Sequence, residues 1–361
     1  MCAADSRRSK RNISISAIVP VRNGVPWLSE CLQSLLDQRL PSNVELEISV
    51  YNDGSTDGTS FVINEFSKKF KSKGFRFVSN GSKISNGVGF AKNRCVEQSR
   101  GEFICFCDAD DISHPNRIRS QLNAIQLCID PHSTIVGSRF GRIPENSTIR
   151  FSEWANSLSE VQLYTQIFTS NGPTLIAPTW FMSRQLYDRA GGFKESEKEG
   201  FPEDLQFFFD VYRLNCKFFR VDEELVTYRY HTTCASLNVS EFSIWKLRVA
   251  AFQEFVLNRW VTFSIWSVGK EGKRFFRSLS EENQRKVTSF CDIDRRKLLN
   301  GKFEAFDSKR HVVTAVIPVL PICQITPPVV VCVKLGITNG DLEELIALKN
   351  WVEGVDYYHF G

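Results

Sequence analysis

No run of this 361-residue chain is long and apolar enough to cross a bilayer as a helix. The nearest candidate, residues 312–333, is broken by Pro318, Pro321, Pro327 and Pro328. Nothing of signal-peptide kind follows the charged start, because residues 13–21 are too few and alternate like a strand. A chain with no membrane partner is therefore expected. Paired cysteines are missing as well: there are 11, an odd number without rhythm, and Cys105, Cys107 and Cys332 fall in strand-like runs. That argues against a disulfide framework and for core thiols in a reducing, cytoplasmic setting. A strong excess of charge is also lacking, since 45 Lys and Arg against 41 Asp and Glu leave +4, which permits an anionic partner without demanding one. The basic residues are nonetheless bunched, at 7–11, 68–73, 270–277 and 295–297. Phenylalanine is the abundant residue, 29 in all, and most are expected in the core.

The most informative stretch is 103–111, small and apolar until it ends in Asp108, Asp110 and Asp111. A run apolar on both faces reads as a buried strand, and Asp is a poor strand former, so the carboxylates should lie just past its carboxyl end. In open α/β sheets ligands bind at that edge. Side-chain alternation puts Asp108 and Asp110 on one face, spaced to approach one hard cation. A strand end with a plain helix cap over 111–113 fits the same residues.

Around this stretch the pattern alternates strand and helix. Strands are expected at 14–21, 45–51 and 75–78, with helices at 26–36 and 60–70, the order of a parallel, doubly wound sheet. The second strand ends in Asp53, able to accept a hydrogen bond from a nucleobase or to form a turn and helix cap. Gly87 and Gly89 permit close backbone approach, and Lys92 and Arg94 can meet an anion. Helices are expected at 115–129 and 183–190, strands at 133–140 and 174–181. Glu203 and Asp204 open an apolar helix, where they suit its dipole or general-base chemistry. A strand at 224–230 brings Arg229 and His231 to the same edge as Asp108.

The last third reads as a second α/β module. A strand at 260–266 runs into Ser267-Val268-Gly269-Lys270-Glu271-Gly272, followed by a helix and by a strand ending near Asp292 and Asp294. This is a Rossmann-type pattern in which Ser267 replaces the glycine of the tight turn. The expectation is a degenerate Rossmann-like module serving structure or acceptor binding. Its Lys270, Lys273, Arg274 and Arg277 suit a phosphate backbone or a solvated helix face.

Four motifs in order, residues 18–23, 52–57, 87–93 and 108–111 with Pro115 beyond, resemble those of family 2 glycosyltransferases of the GT-A fold. The resemblance implies that Pro20, Val21, Asn23 and Asp53 hold the uridine of a UDP-sugar, with Asp53 reading the uracil. It implies that Gly87, Lys92 and Asp108 serve the donor, that Asp110 contacts a divalent metal, Mn or Mg, and that Asp204 is the base of an inverting transfer. Arg229 and His231 stand where relatives contact diphosphate or metal. The QxxRW motif of processive members is absent, which favours transfer of a single sugar. The whole chain, including residues 170–174, 178–181, 202–205, 228–231 and 331–335, also resembles the animal family described as queuosine-tRNA galactosyltransferases, for which the name β-1,3-N-acetylglucosaminyltransferase-like is also in use. That resemblance implies galactose transfer from UDP-galactose to queuosine in the anticodon of tyrosine tRNA. The alternatives are an N-acetylglucosaminyltransferase acting on a glycan and a non-catalytic tRNA-binding module on a transferase fold. The expected boundaries are a disordered terminus at 1–12, a GT-A domain at 13–235 and the Rossmann-like module at 236–361.

Overall fold

The computed structural model describes residues 12–195, 200–307, 311–335, 338 and 340–361. The expected disordered terminus and its basic run at 7–11 thus lie outside the described residues, apart from Asn12. Two compact units form: the described residues up to Leu158 with Leu175–Val239, and Ser159–Thr174 with Ser240–Gly361. Residues 159–174, which the sequence pattern leaves in the first domain, pack with the second unit.

The first unit is built on one eight-stranded sheet. Its strands are β1 (Ile13–Val21), β2 (Val44–Asp53), β3 (Arg76–Ser82), β4 (Phe103–Phe106), β5 (Ile112–Ser113), β6 (Thr134–Ile143), β7 (Phe181–Ser183) and β8 (Lys217–Arg229). They lie in the order β3-β2-β1-β4-β7-β6-β8-β5. The first four are parallel, with Ile18 opposite Phe106 and Asp53 opposite Ser82. Their carboxyl ends therefore share one edge, and the order reverses between β1 and β4, the crevice where such sheets bind ligands. All four residues of β4 are buried, as a strand covered on both faces requires. The helix Leu28–Leu36 covers one face with Leu28, Cys31, Leu32, Leu35 and Leu36, one stripe at helical spacing.

Past β4 the sheet becomes mixed, and here the structure departs from the sequence expectation. Residues 174–181 do not form a strand. Ala177–Thr179 is a short 3-10 turn around Pro178, and only Phe181–Ser183 pairs with β4; proline fixes φ and lacks the N–H a ladder needs. Ile149–Ser157 adds a helix between β6 and this turn. Much of the phenylalanine surplus sits behind this half-sheet. Phe193 stacks on Phe207 at 4.7 Å between centroids and meets Phe106 edge-on at 5.5 Å, contacts that add to area burial.

A buried cation ties β4 to its neighbours. Arg117, 1% exposed, opens the helix Arg117–Leu127. Its guanidinium donates to the carbonyls of Phe106 (2.7 Å) and Pro178 (2.6 Å), to Ser113 Oγ (3.0 Å) and to Gln121 Oε1 (3.1 Å). Two segments far apart in sequence are thereby joined directly beneath Asp108.

The second unit carries β9 (Phe263–Trp266), β10 (Val287–Asp292), β11 (Lys302–Asp307), β12 (Val312–Pro321), β13 (Val329–Val331) and β14 (Tyr357–His359). Their order is β11-β12-β10-β9-β13-β14. All neighbours are parallel except β11, which pairs antiparallel with β12. Without that edge strand the order is the 3-2-1-4-5 of a Rossmann sheet. The turn after β9 keeps the Rossmann shape despite its serine: Ser267 has φ +101°, a conformation that normally calls for glycine. At Gly272 a Cβ would lie 1.9 Å from the Ser267 carbonyl oxygen, so the helix Lys270–Ser278 can seat here only on a glycine.

The Arg117 network yields a prediction. Arg117→Met fills the space but leaves two buried carbonyls unpaired, a loss of roughly 3–5 kcal/mol. Urea denaturation should show a correspondingly lower midpoint for the first unit, and an unchanged midpoint would refute the assigned role.

Candidate active site

The carboxyl edge of β1, β2, β3 and β4 gathers the residues singled out from sequence, although several are occupied differently from expectation. Asp53, 3% exposed, closes β2. Its carboxylate accepts from the hydroxyls of Ser82 (3.1 Å) and Ser85 (2.8 Å) and from the N–H groups of Asn86 (2.9 Å) and Gly87 (2.9 Å). It therefore organises the loop between β3 and the helix Val88–Gln98, and Gly87, at φ +100°, caps that helix. Asn23, just past Pro20 and Val21 at the end of β1, latches two turns together. Its side-chain oxygen accepts from the Thr56 N–H (2.8 Å), while its own N–H donates to Ser55 Oγ (2.8 Å).

The helix Val88–Gln98 presses against the start of the helix Glu203–Arg213. A Cβ on Gly89 would sit 2.8 Å from the Lys194 carbonyl and 3.4 Å from Glu203, so Gly89 sets this approach. One turn on, Asn93 fixes the 192–195 loop: its amide donates to the Phe193 carbonyl (2.9 Å) and its oxygen accepts from the Phe193 N–H (2.9 Å). The loop in turn seats Lys92, whose side chain is 4% exposed and whose Nζ lies 3.0 Å from Glu203 Oε1. Burial works to lower the Lys92 pKa, but the charges of Glu203, Asp108 and Asp204 more than reverse it, leaving it raised. Lys92 is thus a charged ammonium held among carboxylates.

Glu203 and Asp204 are adjacent and unlike. Glu203 is committed to Lys92, whereas among the described residues Asp204 accepts only from its neighbour's N–H, Leu205, at 2.7 Å. Burial and then the Glu203 charge push the Asp204 pKa up to about 7. Asp108 is raised to about 6, again by burial first, with Lys92 opposing and Asp110 and Glu203 adding. Asp111 is raised too, through burial and the Asp110 and Asp108 charges. The pocket therefore holds more negative charge than its lysine can neutralise.

The last strand brings the remaining groups. His231, beyond β8, places Nε2 3.0 Å from Asp110 Oδ2, with Nδ1 turned to Thr233 Oγ1 at 2.9 Å. Arg229 reaches the same loop, but its guanidinium is engaged by protein: Nε donates to the Asp110 carbonyl (3.0 Å), Nη2 pairs with Glu30, and the plane lies 4.5 Å from the Trp27 ring centre. Its N–H also donates to Asp111 Oδ1 at 2.9 Å. Arg229 accordingly clamps the Asp108 to Asp111 turn.

Two overlapping groups have donor atoms close enough to share a metal ion, Asp108 with Asp110 and Asp111, and Asp110 with His231 and Cys234; within each, the atoms lie within 4.8 Å of one another. Asp111 Oδ2 is buried with no hydrogen-bond partner among the described residues. Such an orphan oxygen among crowded carboxylates fits a cation. Cys234, Glu30, Trp27 and Arg117 escape a reading of the sequence, because none sits in a spaced motif and Glu30 and Trp27 reach Arg229 from a distant segment.

Comparison with known proteins agrees with this geometry. Residues 16–191 match the model of glycosyl transferase family 2. An uncharacterised glycosyltransferase of Rickettsia typhi is 26% identical over 300 residues, covering 79% of this chain and 90% of its own. A poly(ribitol-phosphate) β-glucosyltransferase of Bacillus spizizenii is 34% identical over 99 residues, 27% of this chain and 15% of that protein. Among solved structures, residues 1–349 of Staphylococcus aureus TarS in complex with UDP-GlcNAc superpose with a TM-score of 0.56 at 18% identity, over 76% of this chain and 84% of that one. No helix among the described residues is long and apolar enough to cross a membrane. With its parallel half-sheet and its carboxylate turn at the switch point, the chain is a glycosyltransferase of GT-A fold whose residues 16–191 are similar to glycosyl transferase family 2.

Proposed function

We propose that the first unit transfers a single sugar from a UDP-sugar to an acceptor hydroxyl with inversion, with Asp204 as the general base. The observation that carries this reading is the split between the two adjacent acids. Lys92 occupies Glu203, which leaves Asp204 as a carboxylate without a cation of its own and with a pKa of about 7, suited to removing a proton near neutrality. The acceptor oxygen attacks the anomeric carbon as its proton passes to Asp204, and the bond to the UDP oxygen breaks on the opposite face.

Asp110 and His231 are the proposed ligands of a divalent cation, Mn or Mg, and Asp108 faces the donor beside them. When bound, the cation supplies positive charge to the departing diphosphate. The surplus of raised carboxylates and the orphan Asp111 oxygen support it. Pro20 and Val21, at the end of β1, are proposed to contact the uridine of the donor. Asn23, Asp53 and Gly87 hold the surrounding loops in place, so Asp53 meets a uracil as part of a prearranged loop. Lys92 positions Glu203 and adds positive potential beside the donor, and Arg229 holds the turn that presents Asp110.

For donor and acceptor, we favour galactose from UDP-galactose and queuosine in tRNA, on the whole-chain sequence resemblance. Transfer of N-acetylglucosamine is the second reading, favoured by the likeness to a protein solved with UDP-GlcNAc. Transfer assays with both labelled donors, on tRNA with and without queuosine, separate them. Galactose entering only queuosine-containing tRNA supports the first reading, and N-acetylglucosamine entering a glycan supports the second.

Three further outcomes are expected. Because the base works ionised, kcat/KM should rise with pH through about 7 and level off above it. Asp204→Asn should lower kcat by about 10²- to 10⁴-fold and abolish that limb while retaining UDP binding by calorimetry. Asp110→Asn should weaken Mn binding, read by electron paramagnetic resonance of the free ion, with fold retained; unaltered Mn affinity would remove Asp110 from the ligand set.

A further inference from the structure

The second unit contains a cavity of about 460 Å³ lined by five cationic side chains, Lys270, Lys273, Arg277, Lys297 and Lys302, and by one carboxylate, Glu304. Two of the five are neutralised within the protein: Lys302 pairs with Glu304 at 2.6 Å and Lys297 with Asp292 at 2.9 Å. Lys270, Lys273 and Arg277 have no carboxylate within ion-pair distance among the described residues. They follow one another at i, i+3 and i+7 on the helix Lys270–Ser278, whose other face buries Gly272, Phe275 and Phe276. Along the axis they span about 10 Å at the usual helical rise. Arg274 is not among them, because it pairs with Glu241 at 3.0 Å and covers Trp245 at 3.8 Å.

The neighbouring Rossmann turn limits what this cavity can hold. In a dinucleotide site the N–H groups of that turn face the diphosphate. Here the Val268 N–H donates to Asp292 Oδ2 (3.1 Å) and the Gly269 N–H to Ser267 Oγ (3.1 Å). The protein has supplied its own acceptors to the turn, and only the side-chain cations remain available to an anion. The aromatic nearest them, Phe303, is 6% exposed and packs edge-on against Phe276 and Phe290, so it offers no face on which a base could stack.

We infer that this cavity binds the phosphodiester backbone of a nucleic acid strand, through successive phosphates on Lys270, Lys273 and Arg277 and without base recognition. The inference rests on the second unit alone and does not require the acceptor proposed above. Contacts of this kind are salt-dependent, with a slope of log K against log salt of about −0.7 per phosphate contact on a single strand.

The test is fluorescence anisotropy of the full chain with an unstructured, uridine-rich RNA lacking modified bases, across a salt series. The joint substitution of Lys270, Lys273 and Arg277 by Gln is compared with Lys68, Lys71 and Lys73 by Gln, which removes equal charge from an exposed helix of the first unit. The cavity variant should bind at least about tenfold more weakly and lose about 2 from the salt slope, while the other variant binds as the parent does. Circular dichroism and donor hydrolysis, a property of the first unit, confirm that both variants are folded. Equal losses in the two variants, or none in the cavity variant, would overturn the inference. So would displacement of the RNA by micromolar UDP or pyrophosphate from the cavity, which would mark a site for a small phosphate ligand.

Discussion

Crowding of like charge at one sheet edge is the constraint on which the first unit depends. Asp108, Asp110, Asp111, Glu203 and Asp204 come from two segments about a hundred residues apart, and burial penalises the ionised forms of Asp108, Asp111 and Asp204. Lys92 is the buried cation among them, and considerable structure serves to place it. Gly89 lets two helices approach, Asn93 pins the 192–195 loop, and the Phe193 cluster packs behind it. Even so one lysine does not balance the site, and the residual negative charge is what the proposed divalent cation and the proposed base, Asp204, rest on.

A second consequence of the crowding is division of labour between cations. Arg117 and Arg229 lie close enough to the carboxylates to serve as counterions, yet both are fixed to carbonyls and to the edges of the turn. Arg117 holds β4 from beneath and Arg229 holds the 108–111 turn from the side. Planar, always charged guanidinium groups suit such fixed multivalent work better than an ammonium does. The lysine, a point charge on a flexible stem, stands on the face that meets the acids.

Legibility in the sequence follows the range of the interactions. The β4 run, its terminal acids, Asp53 and the helix at Glu203 are local patterns of apolar spacing and strand ends, and the structure places them at one edge as those patterns require. Local pattern says nothing of what a side chain is committed to. Asn23 latches Thr56 and Arg229 is engaged by Glu30 and the Asp110 carbonyl, and those partners lie dozens to hundreds of residues away. The 174–181 stretch misleads because its apolar residues are buried without pairing, around a proline that cannot join a ladder. β12 is hidden for a related reason, since prolines at 318 and 321 read as breaks although they fall near the end of a long strand. Ser267 is the instructive exception: its side chain departs from the Rossmann pattern while its backbone keeps the glycine conformation.

The proposed reaction is a single displacement at the anomeric carbon with Asp204 removing the acceptor proton. Stereochemistry tests it most directly, by proton NMR of the anomeric centre in the product made from an α-configured UDP-sugar. A β-linked product is predicted. An α-linked product would mean two displacements or a front-face reaction, and the role assigned to Asp204 would be wrong.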